Sequence, residues 1–294
     1  MSLKDRLADP NSPEHRPRKA AYALPTLFTA GNIFLGYISI LRCFQGAMLA
    51  AKGYAGAAEN FTVAAQAIIA AVVLDGLDGR IARMTNTTSA FGREMDSLAD
   101  VISFGLAPAV LAYAWGVQFI DPIIGKKLLG QIFNAGYLIA FLFLLCGSCR
   151  LARFNVQKNP IPKNPGRPDR KYFVGLPIPA AAAMVAAVVW ANDSEPLRWW
   201  PLSVAWLGLL VLLGFLMVST WRYYSFKGIS FSKAYSPLIM ILVGGLIYGV
   251  VNYAQLLFLA LSTAYVASGI AIRIGGILRR RLKPARPAPE IKIA

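Results

Sequence analysis

The chain has 294 residues, 56% of them hydrophobic and 15% charged, with a mean hydropathy of +0.52. Soluble domains carry about 25% charged residues, so this composition argues against a soluble fold and for a protein embedded in a membrane. The 30 Lys and Arg against 14 Asp and Glu give a net charge of +16, in a chain too apolar for a soluble nucleic-acid binder. No nucleic-acid partner is expected, and the basic excess is assigned to membrane edges and anionic substrates. Three Cys and one His are too few for a disulfide framework or a His/Cys metal site.

A membrane-spanning helix needs about 20 apolar residues. Eight segments meet or approach that length: Leu24–Met48, Phe61–Ala82, Ser97–Phe119, Leu128–Ala152, Phe173–Ala191, Pro201–Ser219, Tyr235–Val251 and Tyr253–Ile274. The predicted fold is therefore all-α, a polytopic membrane protein of about eight helices. The first apolar run is too long for a signal-peptide core and no cleavage site is apparent after it, so the N-terminus is expected to be retained. Cations concentrate in alternate connections. They fill the N-terminal tail, the second-to-third connection (Arg80, Arg83, Arg93), the fourth-to-fifth (Arg150 to Lys171), the sixth-to-seventh and the C-terminal tail. The connections between hold Lys52, then Lys126 and Lys127, then Arg198, then none. The positive-inside rule puts the rich side and both termini in the cytosol. No 20–50-residue repeat is visible, nor the inverted duplication that marks many transporters. Cys146-Gly-Ser-Cys149 lies inside an apolar span and reads as packing, whereas Gly245 and Gly249 are spaced for close helix contact.

One region is anomalous. Asp75-Gly-Leu-Asp78-Gly79-Arg-Ile-Ala82-Arg83 is succeeded after eight residues by Gly92-Arg-Glu-Met-Asp96-Ser-Leu-Ala-Asp100. Asp75 closes the second apolar run and Asp100 lies inside the third, where a carboxylate costs roughly 2.5–3.5 kcal/mol at the membrane centre and less near its edge. On a helix Asp75, Asp78 and Gly79 share a face, and so do Gly92, Asp96 and Asp100. A hairpin would bring both faces together at the cytosolic edge. Converging carboxylates need a cation among them, and oxygen donors without His or Cys select a hard divalent ion, Mg²⁺ or Mn²⁺. Gly79 and Gly92 leave room for a ligand, and Arg83 can donate to phosphate.

The pattern resembles the signature of the CDP-alcohol phosphatidyltransferases, Asp-x2-Asp-Gly-x2-Ala-Arg-x8-Gly-x3-Asp-x3-Asp, and matches it at every fixed position. The resemblance implies a six-helix catalytic core, two divalent ions, a CDP-linked lipid as phosphatidyl donor and CMP as leaving group. It implies Asp75, Asp78 and Asp96 as metal ligands, with Asp100 either completing the second metal's shell or acting as the catalytic general base. It also implies Gly79, Ala82, Arg83 and Gly92, with Thr29 and Asn32, around the nucleotide and pyrophosphate. Under it the chain divides into a basic tail (1–23), the catalytic core (24–219), two additional helices (220–278) and a second basic tail (279–294).

Three further segments are similar to the serine-accepting, membrane-embedded branch of that family: Leu24-Pro-Thr-Leu-Phe-Thr29-Ala-Gly-Asn32, Arg150-Leu-Ala-Arg153-Phe-Asn155 and Gly175-Leu-Pro177-Ile-Pro179. This likeness implies CDP-diacylglycerol and L-serine as substrates, in contact with membrane lipid. Arg150, Arg153 and Asn155 are candidates for holding the acceptor, because Arg grips a carboxylate in a bidentate fork; anchoring at the membrane edge is the other reading of the two arginines. Asn32 is equally open to a role between helices. The family tends to form dimers, which implies a homodimer. The expected location is multi-pass in the cell inner membrane, with the active site at the cytosolic face. Alternatives are another acceptor in the same family, glycerol-3-phosphate or inositol phosphate, and, more remotely, a cation-coupled transporter.

Overall fold

The computed structural model describes residues 19–84, 90–158, 172–224 and 237–282. In chain order the elements are α1 (Lys19–Lys52), α2 (Ala57–Met84), α3 (Ala90–Asp100), a π-helical segment (Val101–Leu106), α4 (Ala107–Gly116), α5 (Lys126–Lys158), β1 (Tyr172–Val174), α6 (Ile178–Ala191), α7 (Trp200–Val218), β2 (Arg222–Tyr224) and α8 (Pro237–Leu282). Among the described residues the all-α expectation holds apart from one antiparallel two-stranded ladder, β1–β2. Among the described residues six helical stretches are long and apolar enough to cross a membrane: Leu27–Lys52, Ala57–Arg80, Glu94–Gly116, Lys126–Val156, Trp200–Val218 and Tyr248–Gly275.

The other two expected spans take different forms. The helix expected from Phe173 begins only at Ile178, because residues 172–174 pair as a strand and Pro177 precedes the first helical turn. Its 14 residues reach about 21 Å at 1.5 Å per residue, short of a hydrocarbon layer about 30 Å thick. It packs between α2 and α8, with Ala181, Ala182, Val185, Ala186 and Val189 fully buried, so protein and not lipid surrounds it. The expected seventh and eighth spans are two arms of α8, interrupted at Tyr253 (φ −138°, ψ 37°). Leu257 lies against Gly249 across that interruption. The tails at 1–18 and 283–294, on which the placement of both termini rests, lie outside the described residues.

Helix α1 organises the bundle. It doubles back onto α2 through a turn in which Gly53 (φ +67°) and Gly56 (φ +93°) adopt left-handed backbone. Along this hairpin Gly46 faces Phe61 and Gly31 faces Leu74, so that Thr29 comes opposite Asp78. On its other side α1 meets the π segment: Ser103 Oγ donates to the Asn32 carbonyl at 2.8 Å. A Cβ on Gly36 would stand 2.6 Å from Ser103 Oγ and 2.9 Å from Ser103 Cα, so only glycine allows this approach. At the opposite end of the bundle Trp206 Nε1 donates to the Ala112 carbonyl at 3.0 Å, and its ring meets Trp115 edge-on with centroids 5.1 Å apart.

The Gly36 contact yields an expectation. Gly36→Ala should overpack the α1–π junction and lower stability by about 1–3 kcal/mol, read as a depressed thermal midpoint in detergent.

Candidate active site

The starts of α1 and α3, the ends of α2, α5 and α7, and the β ladder share one end of the bundle. Local helix geometry places the site's side chains there. Asp75, Asp78 and Gly79 lie on one face of α2, and Asp96 and Asp100 lie one turn apart on α3. Carboxylate oxygens of Asp75, Asp78 and Asp96 all lie within 4.8 Å of one another. Asp78 is 5% exposed, and Asp75 and Asp96 are half-buried. The fourth carboxylate, Asp100, stands outside this trio but inside its field: it is repelled by Asp75, Asp96 and Asp78, and attracted by Arg150.

Magnitudes decide what such a site requires. Two unit charges at that spacing repel by about 3 kcal/mol at an effective dielectric near 20. Three pairs approach the whole 5–15 kcal/mol stability of a typical fold. The site therefore needs compensating positive charge. The donors are all oxygens, and a 4.8 Å limit suits the about 4–5 Å width of an oxygen shell around a hard divalent cation. Asp78 Oδ2 and Asp100 Oδ1 are buried without a hydrogen-bond partner. The residues present thus fit a divalent metal.

The surroundings are polar and partly unsatisfied. Thr29 and the Gly79 backbone amide hydrogen-bond Asp78. Asn32 is buried, and neither amide atom of its side chain has a partner. An orphaned polar group costs about 1–3 kcal/mol, so this is the side chain whose burial the fold alone explains least. A Cβ on Gly79 would meet nothing within 4 Å, so this glycine leaves open space beside the carboxylates and does not serve packing. Ala82 and Arg83 belong to the last turns of α2, but their side chains lie outside the described residues. Gly92 is half-buried in the first turn of α3.

The three acceptor candidates on α5 divide. Arg150 is 9% exposed, its Nε has no partner, and it interacts with Asp100. Arg153 donates to the Val218 carbonyl at 3.1 Å and the Ser219 carbonyl at 3.5 Å, closing the C-terminal end of α7. Asn155 Nδ2 donates to Ser97 Oγ at 2.8 Å, tying the end of α5 to the carboxylate helix. Sequence reasoning missed Ser97 and Ser103, whose roles depend on which helix faces them. It also missed Tyr265, which interacts with Arg150 from α8. A tyrosine within an apolar run carries no signal of its own.

The family model described as CDP-alcohol phosphatidyltransferase matches residues 22–215. A CDP-diacylglycerol–serine O-phosphatidyltransferase of Helicobacter pylori (strain J99) is 38% identical over 226 residues, 76% of this chain and 81% of the relative. The Saccharomyces cerevisiae protein of the same name is 37% identical over 159 residues, 54% of this chain and 50% of the relative. An archaetidylserine synthase of Methanothermobacter thermautotrophicus is 33% identical over 216 residues, 72% of this chain and 74% of the relative. With its carboxylate signature gathered on two facing helices and the family model covering 22–215, the chain belongs to the CDP-alcohol phosphatidyltransferase family.

Proposed function

We propose that the protein is a phosphatidylserine synthase, transferring the phosphatidyl group of CDP-diacylglycerol to the hydroxyl of L-serine with release of CMP. The convergence of Asp75, Asp78 and Asp96 carries the reaction class. The names of the relatives carry the choice of serine. The serine oxygen forms a bond to the lipid-linked phosphorus as the bond from that phosphorus to the CMP phosphate oxygen breaks. The hydroxyl proton passes to a base, and CMP leaves with the electron pair.

Phosphoryl-type transfer depends mainly on positioning and charge neutralisation. Asp75, Asp78 and Asp96 would hold Mg²⁺ or Mn²⁺, with Asp100 beside them, and such an ion would supply positive charge to offset the charge that develops on the leaving group. Thr29 orients Asp78 through its hydroxyl. The partnerless amide of Asn32 and the open space at Gly79 suit the nucleotide and pyrophosphate, together with Ala82, Arg83 and Gly92. Arg150 takes the serine carboxylate. Because Arg150 and Asp100 attract each other, a serine gripped by Arg150 presents its hydroxyl toward Asp100, which acts as general base. Arg153 and Asn155 hold α5 in register beside this pocket through Val218, Ser219 and Ser97. The bundle end carrying the site faces the cytosol of a cell inner membrane, where a soluble acceptor and a lipid-anchored donor can meet, and the protein works as a homodimer.

The deciding experiment is CMP release by purified protein with CDP-diacylglycerol, offering L-serine, glycerol-3-phosphate and inositol phosphate separately. Release with serine alone is expected; release with another acceptor only would replace the substrate reading. Chelation should abolish turnover, and added Mg²⁺ or Mn²⁺ should restore it. Asp100→Asn should lower kcat by about 10²–10⁴-fold while the protein stays folded. Arg150→Ala should raise the KM for serine by about tenfold or more, since a charge-assisted hydrogen bond contributes about 1.5–3 kcal/mol, with the KM for CDP-diacylglycerol unchanged.

A further inference from the structure

The residues matched by the family model end at 215, yet the polypeptide beyond them returns to the site. Strand β2 pairs with β1 in the register Phe173↔Tyr223, and this turns Tyr223 inward, where it is fully buried with its hydroxyl unpartnered. Backbone bonds extend the ladder and tie it to α7: Gly175 N–H donates to the carbonyl of Trp221, just before β2, at 2.8 Å, and Leu176 N–H to the Leu216 carbonyl of α7 at 3.0 Å. The Tyr223 ring lies flush against Gly269 of α8, where any Cβ would collide with it. Burial pushes its phenol up to about 12, so it remains neutral at physiological pH.

One turn earlier on the same face of α8, Tyr265 packs on Tyr223 with ring centroids 5.7 Å apart. Tyr265 also interacts with Arg150, which interacts in turn with Asp100. The arm of α8 beyond Tyr253 is seated rather than loosely appended. Val266 is buried, the Phe258 ring approaches Trp190 of α6 at 5.9 Å, and Thr263 Oγ1 donates to Met184 Sδ at 3.8 Å.

A nearly buried guanidinium with an unpartnered Nε is held in place by what packs on it. Arg150 lies within electrostatic reach of Asp100 on α3 and of Tyr265 on α8. We infer that the C-terminal arm of α8 closes the acceptor pocket, with Tyr265, backed by Tyr223, as the positioning residue that aims Arg150 at the acceptor's carboxylate. This rests on the proposed serine-transfer reading. It gives helices outside the catalytic core a role in acceptor selection instead of membrane anchoring alone.

The test uses the full chain in detergent, with CMP release measured at varied serine and varied CDP-diacylglycerol. Tyr265→Phe, which keeps the ring and removes the hydroxyl, should raise the KM for serine about three- to tenfold, the range of one hydrogen bond. The KM for CDP-diacylglycerol, the metal requirement and the thermal midpoint should stay at wild-type values. In an Arg150→Ala background the same substitution should add nothing, because Tyr265 acts through Arg150. Thr263→Val, on the same helix, should leave both KM values unchanged. A serine KM within twofold of wild type for Tyr265→Phe would overturn the inference, as would parallel rises in both KM values or a full further loss in the Arg150→Ala background. If the wild-type protein released no CMP with serine, the serine reading itself would fall. That result is distinct from an active wild type with an indifferent Tyr265.

Discussion

The mutual repulsion of carboxylates at the end of a helical hairpin is the constraint on which the rest of this structure depends. Asp75, Asp78 and Asp96 are forced within 4.8 Å of one another on two different helices, with Asp100 inside their field. Nothing in that cluster favours folding unless positive charge joins it, so the scaffold must hold the helices together against it. Helix α1 does so from both sides. It zips to α2 through Gly46 and Gly31 and to the π segment through Gly36 and Ser103. The same helix then offers Thr29 and Asn32 to the site.

In lipid the hydrophobic effect no longer drives helices together, and association relies on close packing and polar contacts. The interior reflects this in its small residues. Ala64, Ala65 and Ala71 of α2, Ala107 and Ala112 of α4, and Ala181, Ala182, Ala186 and Ala187 of α6 are all fully buried. Large apolar side chains such as Phe34, Phe44, Leu138, Phe141 and Phe215 point outward, toward where acyl chains would lie. Small residues thus bring helix backbones close in the interior, where large side chains such as Phe61, Phe104, Trp115 and Phe143 fill the remaining space.

Much of this was legible in the sequence because the signals were local. Apolar runs gave eight expected spans, of which the described residues show six stretches long enough to cross a membrane, and the spacing of Asp75, Asp78, Asp96 and Asp100 alone put them on two helix faces. What escaped were features set by tertiary contact. The run from Phe173 to Ala191 is apolar throughout, so hydropathy could not reveal that Tyr172–Val174 would find a strand partner fifty residues on. Arg153 read as a membrane-edge cation or a substrate ligand, since its use in closing the end of α7 depends on where α7 stops. Tyr265 and Tyr223 carried no signal in the sequence, and only the fold packs them together and sets Tyr265 near Arg150.

The π segment at Val101–Leu106 begins immediately after Asp100, with the Ala107 amide reaching back five residues to the Ile102 carbonyl. A wide turn of this kind rotates the residues after it relative to those before it. The third span is consequently two helices with separate phases, joined by a built-in offset. The inner half keeps Asp96 and Asp100 facing α2, while the outer half presents Leu111, Ala112 and Trp115 to the bundle on a face of its own. Chemistry and packing are thereby decoupled along a single rod. The outer half can lock onto α7 through the Trp206 bond to the Ala112 carbonyl without turning the carboxylates away from their partners.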